Sequence, residues 1–193
     1  MIRFIFVKFF FFSYIIMAKS MQLLEFSPVM KFKNGALSGF FASVDRKPVI
    51  VKLEEVVAPL GVSDFSNKKS IILNIDEAIH NVEDLLLVQA AAKEHPECQG
   101  KEFSEIVKCS DKYGRQIKVN IVDDTLFFDK NAYPCSDSVF NKRCLVNILI
   151  EVNMCWIRGK QAGVSVKALQ IRHLKDIIGG VDAGPELSKD CLI

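Results

Sequence analysis

Val146–Leu174, VNILIEVNMCWIRGKQAGVSVKALQIRHL, reads as two apolar, β-branched strands joined by a basic, glycine-punctuated connection. Val146, Ile148, Leu149, Ile150 and Val152 form a buried-strand run that ends at Trp156, the single tryptophan. Arg158-Gly159-Lys160 and Gly163 interrupt it, because glycine admits backbone angles that a side chain forbids. The second strand alternates as Val164, Val166 and Ala168, then changes phase to Leu169 and Ile171. Strand side chains alternate strictly, so a phase change predicts a bulge or sharp bend near Ala168. A bent strand suits a small closed barrel better than a flat sheet. Two readings of Trp156 stay open: a core residue, or an aromatic face beside cations suited to single-stranded nucleic acid.

The chain of 193 residues is half hydrophobic and one quarter charged, with a formal charge of +2. That excludes disordered, collagen-like and coiled-coil classes and allows one domain with a sizeable core. The average conceals a polarity. Asp45–Gly100 holds six basic residues against ten acidic ones, whereas Lys101–Lys175 holds thirteen against eight. A basic half suits a polyanionic partner.

Working outward, Gln22–Phe32 reads as an extended or edge segment around Pro28, and Gly39–Val44 as a short strand. Val49, Val51 and Leu53 alternate with Ile50, Lys52 and Glu54, which predicts a strand that Ala58-Pro59-Leu60-Gly61-Val62-Ser63 then breaks. Lys69–Ile75 is another strand. A helix is expected from Asn74 with a capping box at Glu77, running on Ile75, Ile79, Val82 and Leu86 and ending before Pro96. Lys101–Cys109 is expected as a second, short helix. Tyr113–Val122 and Thr125–Phe128 read as strands, and Asn131–Arg143 as a polar loop. The fold class is therefore mostly β with a helical insertion, an α+β arrangement around an OB-like small β-barrel. Residues 21–175 form that single domain, with the insertion around 75–109, and 176–193 form a flexible tail.

Residues 1–20 form a hydrophobic extension: Met1–Ala18 has a basic start, a Phe/Ile-rich centre and a small residue at its end. Three accounts fit it: upstream sequence ahead of a start at Met17 or Met21, a cleaved signal, or an anchor. The last two bring a second functional reading, a secreted or membrane-anchored β-rich structural or interaction protein, and the anchor adds membrane contact. The six cysteines form no framework, and Cys144 and Cys155 sit in apolar strands, which favours a reducing, intracellular setting.

No phosphate loop, dinucleotide fingerprint or nucleophile elbow is present, so neither a cofactor nor an enzyme is expected. His95, Cys98 and Cys109 match no zinc module. Asp123, Asp124 and Asp129 lack the lysine or glutamate that would complete a nuclease site and read as a solvated turn.

Taken in order, the residues resemble the OB-fold single-stranded-DNA-binding proteins of large eukaryotic DNA viruses. The resemblance spans about Phe40–Leu174. It rests on PVIVKLEEVVAPLGVS at Pro48–Ser63, on Gly100-Lys101-Glu102-Phe103-Ser104, and on Trp156, Gly163, Gln170 and Ile171 in the final strand pair. Leu60 and Val166 stand where that family favours aromatics. The resemblance implies sequence-tolerant, non-catalytic binding of single-stranded DNA in viral DNA replication or recombination, in a nucleus or a cytoplasmic replication site. RNA and self-association are further partners to test. Tyr113, Phe128 and Trp156 are then the candidates for base stacking. Lys112, Arg115, Lys118, Arg158, Lys160, Lys167 and Arg172 are candidates for phosphate contact, with Lys142 and Arg143 extending the path. Strand alternation means that they cannot all face one groove.

Overall fold

The computed structural model describes residues 24–32, 36–76, 82–111 and 114–177. Strands β1 (Leu24–Phe26), β2 (Met30–Lys31), β3 (Ser38–Phe40), β4 (Ala42–Val44), β5 (Lys47–Pro48), β6 (Ile50–Ala58), β7 (Val62–Phe65) and β8 (Lys68–Asn74) precede helix α1 (Glu83–Glu94). Strands β9 (Glu102–Ser104), β10 (Val107–Ser110), β11 (Gly114–Asn120), β12 (Leu126–Phe128), β13 (Cys144–Arg158) and β14 (Gln161–Asp176) follow it.

Five of these strands close a ring in the order β6-β8-β11-β14-β13 and back to β6. Every pairing in the ring is antiparallel except β11 with β14, which meet in parallel at Asn120 and Lys167. A meander of three strands, closed by a parallel contact to the last strand of a hairpin, is the OB-like barrel expected from the sequence. Alternation supplies its interior: Leu53, Ile71, Leu73, Ile117, Ile148 and Ile171 are all fully buried or nearly so.

Irregularities give the barrel its curvature. In the β13–β14 hairpin, Leu149 pairs with Gln170 but Ile150 pairs with Ala168, so Leu169 is the extra residue of a bulge. That is the bend predicted near Ala168. A second bulge lies in β6, where Val146 faces Val56 and Ile148 faces Leu53. There Glu55 takes a positive φ of 53° and its N–H donates to Asn147 Oδ1 at 2.8 Å. The buried positions accordingly shift from Val51 and Leu53 to Val56 and Ala58.

After Ala58 the chain turns a corner and continues as β7, which pairs with β8 through the two-residue turn Ser66-Asn67. Both turn residues have positive φ, 52° and 60°, the mirror-type turn whose twist matches its flanking strands. The hairpin β2–β3 adds to the far end of β13 through Phe40, Gly39 and Ser38, and β1, β4 and β5 form a separate small sheet.

Helix α1 packs Leu85, Val88 and Ala92 inward, one face of a 3.6-residue period, and contacts β14. It begins at Glu83, not directly after Asn74. Asn74 ends β8 and its Oδ1 accepts the N–H of Asp76, while Ile75 is wholly buried in the barrel core. The proposed box partner Glu77 and Ile79 lie outside the described residues. The expected helix at Lys101–Cys109 is instead β9 and β10. Long-range pairing overrides local propensity there: Glu102–Ser104 runs beside Gln161–Gly163, and Val107–Ser110 beside Gly114–Ile117. Strand β14 extends to Asp176, whose Oδ1 lies 3.0 Å from His173 Nε2. The N-terminal extension and residues 178–193 lie outside the described residues. No helix among the described residues is long and apolar enough to cross a membrane.

Cys98, Cys135, Cys144 and Cys155 are free thiols. Burial pushes Cys155 up to about 12 and Cys144 up to about 11, so neither ionises near neutral pH. Both behave as small core hydrophobes, as the sequence indicated.

Candidate nucleic-acid interface

Ile71 and Leu73 on β8, with Ile117 and Val119 on β11, point into the barrel, so their neighbours point out. Register places Asn74 opposite Gln116 and Lys108, Ile72 opposite Lys118, and Ser70 opposite Asn120. Asn120 continues the row to Lys167 and Glu151. The outer face of β10, β8, β11 and β14 thus carries mainly polar side chains around Ile72, with Lys108 and Lys118 as its exposed cations.

A hairpin tip projects at each end of this face. One is the turn from β13 to β14, where Arg158, Gly159 and Lys160 are exposed. Gly159 has a φ of 58°, its carbonyl accepts from Lys101 Nζ at 3.3 Å, and the Lys160 carbonyl accepts from the Glu102 N–H at 2.9 Å. Three basic side chains therefore gather on a pinned turn. Just behind them lies Trp156. Its neighbours Cys155 and Ile157 are buried, so alternation sends the indole to the outer side, where it is half-buried. It lies over Gly163: a Cβ placed there would come 2.7 Å from Trp156 Cζ2. The side chain is therefore on the outer side of the sheet and is not one of the buried core residues.

The other tip is Phe65-Ser66-Asn67-Lys68. Phe65 is 82 % exposed, the most exposed large apolar side chain among the described residues. Lys68 sits opposite it across the turn. The adjacent Lys69 is held by Asp137, whose hydrogen bond and charge raise its pKa above the usual lysine value.

The sequence-derived candidates divide accordingly. Lys118, Arg158, Lys160 and Trp156 lie on the outer face or its end. Arg115 shares its side of β11 with Ile117 and Val119 and so points away from Lys118. Lys167 is paired with Glu151 at 3.4 Å, with both side chains about one-fifth exposed, which neutralises its charge locally. Arg172 Nη2 donates to the Lys130 carbonyl at 2.7 Å, and its Nε is buried. Its role is to tie β14 to the next loop. Phe128 is half-buried beside it on β12. Lys142 and Arg143 are exposed at the start of β13. Lys112 and Tyr113 lie outside the described residues. Sequence reading missed Phe65, Lys68 and Lys108. The first two carried a usable signal, a two-residue Ser-Asn spacer between two strand-forming runs. Asp123, Asp124 and Asp129 form no metal-holding group among the described residues, and Asp129 Oδ1 is occupied by the N–H groups of Asn131 and Tyr133.

This geometry belongs to the class of OB-like barrels, in which the second and third strands and the two flanking hairpin loops carry the ligand face. No family model matches the chain, and no curated protein matches it. Among solved structures it is similar to the single-stranded DNA-binding protein from bacteriophage Enc34, with a TM-score of 0.50 and 16 % identity over 79 % of this chain and 90 % of that one. A C-terminal truncation of that protein gives a TM-score of 0.51 at 16 % identity, over 79 % and 96 % of the two chains. Its complex with single-stranded DNA gives 0.50 at 14 % identity, over 78 % and 97 %. At this identity the likeness is one of fold.

Proposed function

We propose that this chain binds single-stranded DNA with little sequence preference, without catalysis, in replication or recombination of a viral type. The observation that carries the reading is the polar outer face of β8 and β11, set between two projecting tips that each combine an aromatic ring with lysine or arginine. Stacking tolerates any base because every base has a π-face, and cations follow the phosphates without reading sequence. The similar phage protein has been solved with single-stranded DNA, and the sequence resemblance to proteins of large eukaryotic DNA viruses is of the same kind. Both support the reading.

The test is salt dependence. Lys68, Lys108, Lys118, Arg158 and Lys160 are exposed and have no ion-pair partner among the described residues. If all five meet phosphates, log affinity against log salt falls with a slope of about −3.5, at about −0.7 per contact. Arg158→Ala with Lys160→Ala should flatten it by about 1.4. Duplex of the same length binds more weakly, since its bases are not free to stack. Absence of binding at low salt, or equal affinity for duplex, rejects the function. An RNA strand of the same sequence measures the sugar preference.

A further inference from the structure

We infer that the loop Asp129–Cys135 is an additional stacking platform, with Tyr133 as the ring that receives a base beyond the Phe65 end of the barrel. The inference rests on the single-strand reading above and extends it to a surface outside the β8–β11 face and its two tips.

Tyr133 is 68 % exposed, which is unusual for an aromatic side chain with no role in packing. Its loop is nevertheless fixed. Asp129 Oδ1 accepts the N–H of Asn131 at 2.8 Å and of Tyr133 at 2.9 Å, and the Asp129 N–H donates to the Tyr133 carbonyl at 2.9 Å. The Cys135 N–H donates to the Phe127 carbonyl, and Phe128 bridges to Pro134. Arg172 clamps the loop from β14 through the Lys130 carbonyl. An exposed ring on a pre-ordered backbone loses little conformational entropy when it is covered, which is the economy that a binding contact needs.

The loop also lies in the right place. The outer side of β14 runs from Lys167 through Gln170 to Arg172, and β12 lies alongside with Leu126 opposite Gln170 and Phe128 opposite Arg172. Leu126 is itself 56 % exposed. A strand leaving the central face along β14 therefore meets an apolar and aromatic strip that ends at Tyr133. The stretch that follows the loop abuts the β7–β8 hairpin, through Lys69 with Asp137 and through the Val62 N–H to the Phe140 carbonyl, which places the loop toward that end of the barrel. The exposed Asp123-Asp124 turn borders β12, so the contribution here comes from stacking and not from charge.

The test uses the full chain and oligothymidylates spanning about 4 to 20 nucleotides, around the range of site sizes seen for single OB-folds. Tyr133→Ala should leave binding of the shortest oligomers unchanged and weaken binding of the longer ones by about five-fold or more. The salt slope and the melting temperature should stay at wild-type values, and Tyr133→Phe should bind like wild type. Equal affinity of Tyr133→Ala and wild type at every length overturns the platform while leaving the barrel-face reading intact. Loss that is equal at all lengths, or accompanied by a lower melting temperature, also overturns it, since it marks a structural role. Failure of the wild-type chain to bind any oligomer defeats the parent reading instead.

Discussion

Trp156→Ala is expected to weaken single-strand binding by about 1–3 kcal/mol, the range for loss of one base–aromatic stack. Stability should fall by only roughly 1–2 kcal/mol, because a half-buried ring gives up part of the area of a core aromatic. Truncating a true core aromatic such as Phe40, wholly buried and stacked on His95 at 4.2 Å, should cost about 3–5 kcal/mol. The contrast is measurable by denaturant titration of the two variants. Intrinsic fluorescence gives an independent view, since no other tryptophan is present. A half-exposed emission maximum that is quenched by oligonucleotide fits a half-buried indole lying on Gly163. Gly163→Ala pushes on the same ring from beneath, the new methyl meeting Cζ2 at 2.7 Å and the Ser104 carbonyl at 3.1 Å. It should shift the emission maximum and reduce affinity without removing any aromatic group. Wild-type affinity in Trp156→Ala would refute the stacking role and leave Phe65 as the ring of the central face.

What was legible in the sequence was what periodicity and punctuation encode. The phase change at Ala168–Leu169 is a bulge in the structure, and Arg158-Gly159-Lys160 is a hairpin tip. The alternation of Val51 and Leu53 is an inward face. What could not be read depends on partners distant in the chain. Glu102–Ser104 is a strand because β14 offers it an edge, and no local pattern announces that. Lys167 and Arg172 looked like free cations, but Glu151 and the Lys130 carbonyl occupy them across the fold. Phe65 fell between the expected strands, and only the closure of the two-residue turn beside it leaves the ring in solvent. Charge and aromaticity could be counted from the sequence, whereas their availability is set by tertiary structure.

Gly61→Ala is expected to destabilise the barrel by about 2–5 kcal/mol, from two additive causes. Gly61 has a φ of 64°, and the left-handed region costs an L-residue about 1–2 kcal/mol. Its surroundings add the rest. A Cβ there would come 2.3 Å from the Phe140 carbonyl oxygen and 2.6 Å from Asn141 backbone atoms, which cannot swing aside as a flexible side chain would. Overpacking of this kind costs about 1–3 kcal/mol. The same carbonyl accepts the Val62 N–H at 3.1 Å, so displacing it also loosens the corner where β6 passes into β7. This explains the sequence Ala58-Pro59-Leu60-Gly61 in physical terms. The strand must bend sharply to reach β8, and it does so against the backbone of the segment that leads into β13. Gly159 supplies the control. Its φ of 58° is nearly the same, yet nothing lies within 4 Å of its would-be Cβ. Gly159→Ala should therefore pay the conformational penalty alone, about 1–2 kcal/mol. At about 2–4 °C per kcal/mol for a domain of this size, thermal unfolding should separate the two variants clearly. Equal losses in both would mean that backbone angle alone governs this corner and that its contact with Phe140 is slack.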